Sequence, residues 1–191
     1  MRDEILRIAR KQLESGGYES LSFATIADSL ATTRANIHYH FKNKEGLATA
    51  ATKAHVTEEL HLMRSVAHKH NDDFVAFIAE LEARFVAMIK KKTDNKIDIC
   101  SQLIRTDDVP EELANLAQGY FKQVGQLCEE VIVAAQRAGK IANTCNAADL
   151  ANQAVAMMLG VTQLAIVYGS RGIDSSDRID GILTGWVRSY R

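Results

Sequence analysis

The stretch SFATIADSLATTRANIHYHFKNK, residues 22–44, determines how the amino-terminal part of this chain folds. Ser22 is placed to cap one short helix, because serine accepts a hydrogen bond from the open N–H groups of a first helical turn. Thr32 or Thr33 is placed to cap a second short helix, which runs to about Tyr39. Two short helices joined by a tight turn are typical of a helix-turn-helix motif.

The predicted motif needs a small apolar core that holds its helices at a fixed angle. An amphipathic helix precedes it, and Gly16-Gly17 is placed to end that helix, because glycine readily adopts the left-handed cap conformation. Ala27 is small enough to let the helices approach closely. The residues that the spacing assigns to this core are Ala9, Leu13, Leu21, Ile26, Ala27, Leu30, Ile37 and Phe41.

The side chains that the second helix of the motif leaves exposed suit the major groove of DNA. Arg34 can read guanine and Asn36 can read adenine, although a plain solvated role is an equal alternative for Asn36. Ala35 is small enough for a close approach or for contact with a thymine methyl group. Residues 32–44 contain three Lys or Arg residues and no acid. The residues predicted to donate to phosphates are Thr25, Thr33, Tyr39, His40 and Lys44.

Composition favours helices throughout the chain. It has 191 residues, 47% of them hydrophobic but only 6% aromatic, and a single proline. Nearly every segment shows the apolar spacing of a helix and none that of a strand, so we predict an all-α fold of about nine helices. After the motif the predicted helices are Asn43 to about Val66, Phe74–Ile89, a short one at Ile99–Ile104, Pro110–Ala138, Asn146–Tyr168, and a last one from Asp174 or Ser175.

Charge and cysteine content limit the function classes. The net charge of −1 argues against a protein that coats nucleic acid non-specifically, so DNA binding must come from a local patch. Cys100, Cys128 and Cys145 form no CxxC pair, which speaks against a zinc site and suits reduced thiols in the cytoplasm. We therefore expect no metal, no cofactor and a cytoplasmic location. Neither a signal peptide nor a membrane span is expected.

The stretch from Thr25 to Leu47 closely resembles the TetR (tetracycline-repressor) family of transcriptional regulators. It shows the family's Ile-Ala pair, a turn, an aromatic block and a Lys-Glu pair followed by an apolar residue. The block reads His38-Tyr39-His40-Phe41, with histidine at its first position. Ala31 holds the turn position that is often glycine, so the turn must either avoid a left-handed residue there or accept strain. The rest of the chain matches only in layout.

The resemblance implies two domains and a function. Residues 1–46 would form the helix-turn-helix DNA-binding domain, and residues 47–191 a helical domain for ligand binding and dimerisation. The expected partners are double-stranded operator DNA, a second copy bound through the last two helices, and an unidentified small-molecule inducer. The chain would be a repressor that a small molecule or a reactive electrophile releases from a palindromic operator.

A ligand pocket is expected between the linking helix and the helices near 74–91 and 110–138. The candidate lining residues are His61, Phe85, Met88, Cys100, Tyr120 and Val124, for each of which plain core packing is an alternative. Some related regulators that respond to electrophiles carry a cysteine near the position of Cys100. Reactivity would require a lowered thiol pKa, and an inert buried cysteine is the competing interpretation.

Two other function classes stay open on the sequence alone. A helical module whose helix-turn-helix binds a protein would show the same spacing, but its binding would not weaken steeply with salt. An enzyme is not expected, because no nucleophile elbow, phosphate loop, carboxylate pair or metal spacing is present. His55 and His61 are not stacked on one helix face, so a transition-metal site would need ligands from elsewhere.

Overall fold

The structure is a computed structural model that describes residues 1–91, 98–104, 108–169 and 176–190. Within these ranges it contains ten α-helices, one 3₁₀ turn at Tyr18–Ser20 and no strand, which confirms the all-α prediction. The helices are α1 (Arg2–Gly16), α2 (Phe23–Ser29), α3 (Arg34–Phe41), α4 (Lys44–Lys69), α5 (Phe74–Lys91), α6 (Ile99–Leu103), α7 (Glu111–Arg137), α8 (Ala147–Gly169), α9 (Ser176–Ile179) and α10 (Ile182–Arg188).

The carboxy-terminal helix differs from the prediction. The sequence predicts one continuous helix, whereas the structure has α9 and α10, with Gly181 between them at φ 82°. A left-handed residue interrupts an α-helix, and glycine adopts that conformation without steric cost. The predicted starts, Asp174 and Ser175, lie outside the described residues.

The chain forms two compact units, the first of which comprises residues 1–59 and 96–120. In this unit α6 packs against α1, and the Gln102 side chain donates a hydrogen bond to the Glu14 carbonyl oxygen at 3.2 Å. The predicted motif core is buried with one exception. Leu30 is half-buried, and it is the residue that caps the carboxy-terminal end of α2.

The second unit comprises residues 60–95 and 121–191. Phe74, Phe77 and Ile78 are fully buried, and α10 packs against α5. The buried Glu82 carboxylate accepts hydrogen bonds from the backbone N–H groups of Leu183 at 2.7 Å and Thr184 at 3.1 Å. Because the first N–H groups of a helix lack partners within it, this carboxylate ties the start of α10 to α5.

Helix α8 leaves much of its apolar surface uncovered. Its segment Ala147–Tyr168 is long and apolar enough to cross a membrane by length and composition, and 22% of that window is buried. The sequence predicts no such segment, because Gly160, Thr162 and Gln163 interrupt the apolar run. A single helix of this kind is weak evidence for a membrane, since core helices of soluble proteins pass the same test. Leu164 and Val167 are 39% and 51% exposed.

Candidate nucleic-acid interface

Both helices of the motif begin with side-chain caps. The Ser22 hydroxyl accepts a hydrogen bond from the Thr25 N–H at 3.4 Å at the start of α2. The Thr33 hydroxyl accepts one from the Asn36 N–H at 3.2 Å at the start of α3. The cap predicted at Thr32 or Thr33 is therefore Thr33, and Thr32 has a different role. These bonds fix where each helix starts, and so where its first exposed side chains lie.

The turn between α2 and α3 accepts a left-handed residue at Ala31. This residue has φ 47°, and its N–H donates to the Asp28 carbonyl at 3.3 Å. The Thr32 N–H donates to the Ala27 carbonyl at 3.0 Å. These two bonds define a Schellman motif, in which glycine is the usual left-handed residue. Alanine in this conformation costs about 1 kcal/mol, because its Cβ crowds the following carbonyl oxygen.

A second tight turn joins α3 to α4. Lys42 has φ 64° and ψ −55°, and the Asn43 N–H donates to the Phe41 carbonyl oxygen at 2.7 Å. The Asn43 side chain then accepts a hydrogen bond from the Gly46 N–H at 2.7 Å, which caps α4 as predicted. A Cβ atom added to Gly46 would lie 2.3 Å from that same Phe41 oxygen. The turn therefore requires glycine at position 46.

His38 replaces the first aromatic residue of the block and supports this second turn. Its Nδ1–H donates to the Lys42 carbonyl oxygen at 2.8 Å, and its ring centroid lies 4.7 Å from that of Phe23. The histidine thus joins α2, α3 and the turn within one domain. We conclude that this departure from the family pattern has a structural role.

The outer edge of α3 presents polar and aromatic side chains to solvent. Arg34 and Ala35 are exposed, and Tyr39 is 84% exposed, which is unusual for so large an aromatic side chain. Asn36 is half-buried, and its amide donates to the Thr32 hydroxyl at 3.0 Å. We call Arg34, Ala35 and Tyr39 the recognition edge. Its members share one face of a short helix whose opposite face is buried through Ile37.

The other predicted phosphate contacts surround this edge. Thr25 and Thr33 are exposed, and His40 is half-buried, with its ring centroid 5.4 Å from that of Tyr39. Lys44 is less free than the sequence suggests. Its Nζ lies 4.5 Å from the Tyr18 ring centroid and 4.0 Å from the Glu19 carboxylate.

Sequence reasoning missed three residues beside the predicted contacts. Lys42 is exposed at the turn after α3, but the sequence indicates it only as one of the three cations of residues 32–44 and not as a DNA contact. Tyr18 supports Lys44, and burial, followed by the nearby Glu45 and Glu19, raises its phenol pKa. The Arg2 guanidinium lies 5.3 Å from the Phe41 ring centroid. The positive bias of residues 32–44 could have indicated Lys42, but no pattern indicated the other two.

The six residues predicted to line a ligand pocket differ widely in burial. In the first unit Cys100 and Tyr120 are buried. In the second unit Val124 is buried, Phe85 and Met88 are half-buried, and His61 is exposed. An open groove of about 460 Å³ in the first unit is lined by other residues, namely Lys53, Glu111, Glu112, Asn115 and Leu116.

A partly buried polar cluster in the first unit joins three helices, with His55 and Cys100 buried and Asp98 half-buried. On α4, His55 Nε2 lies 2.7 Å from Asp98 Oδ1, and His55 Nδ1 lies 3.4 Å from the Arg10 guanidinium on α1. Arg10 also pairs with the Glu58 carboxylate at 2.7 Å. Asp98 caps α6, and the Cys100 thiol lies on the first turn of that helix. Ligand atoms of His55, Asp98 and Cys100 all lie within 4.8 Å of one another.

Burial disfavours the thiolate form of both buried cysteines in the metal-free protein. Burial, followed by the charges of Asp98 and Glu59, raises the pKa of the Cys100 thiol well above its usual range. Burial alone raises the pKa of Cys128 to about 12. An electrophile sensor needs a lowered thiol pKa, so this environment favours the inert interpretation of Cys100.

Residues 5–51 match the family model of bacterial regulatory proteins of the tetR family. The fold of the whole chain is similar to that of a TetR-family transcriptional regulator from Agrobacterium tumefaciens, with a TM-score of 0.87 and 21% identity over 99% of this chain and 96% of that one. It is also similar to the TetR-family regulator CifR, whose cysteine mutant was solved with a 26-base-pair operator, with a TM-score of 0.84 and 18% identity over 100% of this chain and 97% of that one.

A third similar structure is a regulator from Saccharomonospora viridis in complex with choline, with a TM-score of 0.77 and 20% identity over 98% of this chain and 95% of that one. No sequence among curated proteins matches the chain. At these identities the structural matches show the fold, whereas the family model covers the helix-turn-helix itself.

Proposed function

We propose that the chain, whose residues 5–51 match the family model of bacterial regulatory proteins of the tetR family, is a DNA-binding transcriptional repressor. The observation that carries the proposal is the recognition edge on a correctly capped helix-turn-helix. Arg34, Ala35 and Tyr39 are exposed together, in a region where cations outnumber acids. The phenol of Tyr39 is 84% exposed, so its hydroxyl is free to donate to a phosphate beside the groove.

The contacts follow from the chemistry of each exposed side chain. Arg34 at the start of α3 would donate two hydrogen bonds to a guanine edge, and Ala35 would allow the close approach that this needs. Asn36 would reach adenine only if its bond to Thr32 opened. The side chains assigned to phosphates are Thr25, Thr33, Tyr39, His40 and Lys44.

We further propose that the repressor is a homodimer formed through its last two long helical segments. Helix α8 keeps apolar side chains at its surface, including Leu164 and Val167. Burying such a surface against a second copy would remove it from water. A dimer also places two recognition edges on a near-palindromic operator, which raises the affinity well beyond that of one short helix.

A small-molecule inducer would act on the larger part of the chain. We assign residues 1–46 to DNA binding and residues 47–191 to ligand binding and dimerisation. The candidate pocket residues are His61, Phe85, Met88, Cys100, Tyr120 and Val124. The raised pKa of the Cys100 thiol favours a non-covalent inducer over a reactive electrophile at this position. We expect a cytoplasmic protein without enzymatic turnover.

Selection from a random pool of double-stranded DNA tests the proposal. The full-length dimer should enrich a near-palindrome whose half-sites lie about one helical turn apart. Fluorescence anisotropy on the enriched duplex should show binding at least about 10³-fold tighter than on unrelated DNA, and falling steeply between low and high salt.

Two variants make the result specific. Tyr39→Ala alters the recognition edge and should weaken operator binding, whereas Lys53→Ala removes an exposed lysine on α4 that pairs with Glu112 and should not. A well-folded dimer that enriches no sequence and shows no salt-dependent binding would contradict the proposal.

A further inference from the structure

We propose that His55, Asp98 and Cys100 bind a divalent transition-metal ion such as Zn²⁺. One imidazole nitrogen, one carboxylate oxygen and one sulfur lie within 4.8 Å of one another. This mixed set suits zinc and the neighbouring divalent ions, whereas Mg²⁺ and Ca²⁺ prefer oxygen alone. Two of these ligands are close in sequence, because Asp98 caps α6 and Cys100 lies in its first turn. The third, His55, approaches them from α4.

The distances are close to those of a metal centre. Zinc bonds of about 2.0–2.3 Å place tetrahedral ligand atoms roughly 3.3–3.6 Å apart. His55 Nε2 and Asp98 Oδ1, now 2.7 Å apart, would separate by less than about 1 Å. The Cys100 sulfur, which lies within 4.8 Å of the other two ligand atoms, would move inward by up to about 1.5 Å, and its proton would pass to solvent because the metal binds the thiolate. Side-chain rotation supplies such movements without a change in the helices.

The surroundings already hold the Asp98 carboxylate in place and shield the Cys100 sulfur. The second carboxylate oxygen of Asp98 accepts hydrogen bonds from the Ser101 N–H at 2.8 Å and the Ser101 hydroxyl at 3.1 Å. Outer bonds of this kind orient metal ligands. Cys100 is fully buried, so solvent and oxidants do not reach its sulfur freely.

Two further groups near the cluster fit a bound polar species. Glu59 lies near enough for its charge to act on Cys100, so its carboxylate would supply a further oxygen ligand after rotation. The Thr52 hydroxyl, one turn before His55 on α4, is buried without a hydrogen-bond partner among the described residues. Buried hydroxyl groups normally have a partner, so this one still has a hydrogen bond to offer to a water or another ligand.

Metal binding would change the contact between α4 and α1. In the structure His55 donates from Nε2 to the Asp98 carboxylate, so its Nδ1 lone pair faces the Arg10 guanidinium at 3.4 Å. A metal on Nε2 requires the hydrogen of a neutral imidazole to move to Nδ1, where it would face the N–H donors of Arg10. Arg10 would then keep only its pair with Glu58. Helix α1, which packs against the DNA-binding motif, would then lose one of its hydrogen bonds to α4.

Cobalt(II) titration of the full-length, reduced and chelator-treated protein tests the site. We expect one Co²⁺ per chain, a near-ultraviolet absorption band from thiolate-to-cobalt charge transfer, and visible bands of four-coordinate cobalt. Cys100→Ser should remove the charge-transfer band, whereas Cys128→Ser and Cys145→Ser should leave it unchanged. Asp98→Asn keeps the cap of α6, because asparagine is also a good cap, and should weaken Co²⁺ binding at least about tenfold.

The outcomes separate this site from the proposed repressor function. A wild-type protein without the charge-transfer band, or a band that survives Cys100→Ser, would overturn the metal site whether or not the protein binds DNA. The band together with a failure to bind any DNA would leave the site standing and remove the repressor. The effect on DNA rests on the proposed function: Zn²⁺ should change operator affinity at least about fivefold in the wild type and not in Cys100→Ser.

Discussion

The recognition edge and the cluster around His55 are both polar, but they treat their hydrogen-bonding groups in opposite ways. Arg34 and Tyr39 face solvent, and Arg34 makes no hydrogen bond or ion pair with the described part of the chain. His55 is buried, and both its ring nitrogens have partners, Arg10 and Asp98. The first arrangement keeps its groups available to another molecule, whereas the second uses them to connect α1, α4 and α6.

This difference shows what a polar side chain contributes in each setting. An exposed arginine exchanges its hydrogen bonds to water for hydrogen bonds to a ligand at little free-energy cost, so it contributes to recognition rather than to folding stability. A buried histidine has already lost its water, and removing one of its partners leaves an unpaired group in the interior. The recognition edge should therefore affect binding and leave stability unchanged, and the cluster should affect how the helices hold together.

The largest contrast should appear in thiol reactivity. Cys145 is half-buried, whereas Cys100 and Cys128 are buried with raised pKa values. In metal-free protein at pH 8 we expect Ellman's reagent to label Cys145 at least about 10³-fold faster than the other two, because only an accessible thiolate reacts. Cys145→Ser should abolish the fast phase. Rapid labelling of Cys100 in folded protein would mean that the cluster opens readily.

The next largest effect should follow a change at Gly46, behind the recognition edge. Gly46→Ala places a Cβ against the Phe41 carbonyl oxygen, which belongs to backbone and cannot rotate away. We expect about 3 kcal/mol less stability in urea unfolding, from this overpacking. Gly119→Ala is the control, because no described atom outside its own helix lies within 4 Å of its added Cβ. That variant should be stabilised by about 0.5–1 kcal/mol. Equal effects of the two substitutions would contradict the tight turn.

The recognition edge could be predicted from sequence because its determinants are local. Ser22, Thr33 and Asn43 each cap a helix that begins at the next residue, and the apolar spacing between them fixes which faces are buried. The sequence allows two conformations of the turn at Ala31, and the strained one is present. What was missed, such as Tyr18 beneath Lys44, depends on contacts between segments that are distant in sequence.

The cluster could not be predicted for the same reason. His55 and Asp98 are separated by 43 positions, and only the packing of α6 near α4 brings them together. The sequence predicts a ligand-binding role for His61, which is exposed, and the missing CxxC pair speaks against a zinc site. Spacing rules detect metal ligands that share a short segment, but here the ligands come from two helices. The missing CxxC pair therefore bears only on ligands within one segment, and the expectation of no metal stays a prediction that the cobalt titration tests.

A smaller effect separates base reading from phosphate binding within the edge. Arg34→Ala should cost ~1–3 kcal/mol on the selected operator and relax specificity at one base position, with unfolding unchanged. Lys44→Ala should weaken all sequences alike and flatten the salt dependence. Because Lys44 also contacts Tyr18 and Glu19, part of its loss should appear in stability. An Arg34→Ala variant with unchanged base preference would show that this arginine does not read a base.

The smallest effect tests strain in the turn that positions the edge. Ala31 has φ 47°, and its N–H and that of Thr32 close a Schellman motif that normally contains glycine. Ala31→Gly removes the crowding of Cβ but adds freedom to the unfolded chain, so we expect a net gain of about 0.5 kcal/mol or less in urea unfolding. Ala24→Gly within α2 is the control and should lose about 1 kcal/mol. If both glycine variants were equally destabilised, position 31 would be helical in solution, and the turn would set α3 at a different angle.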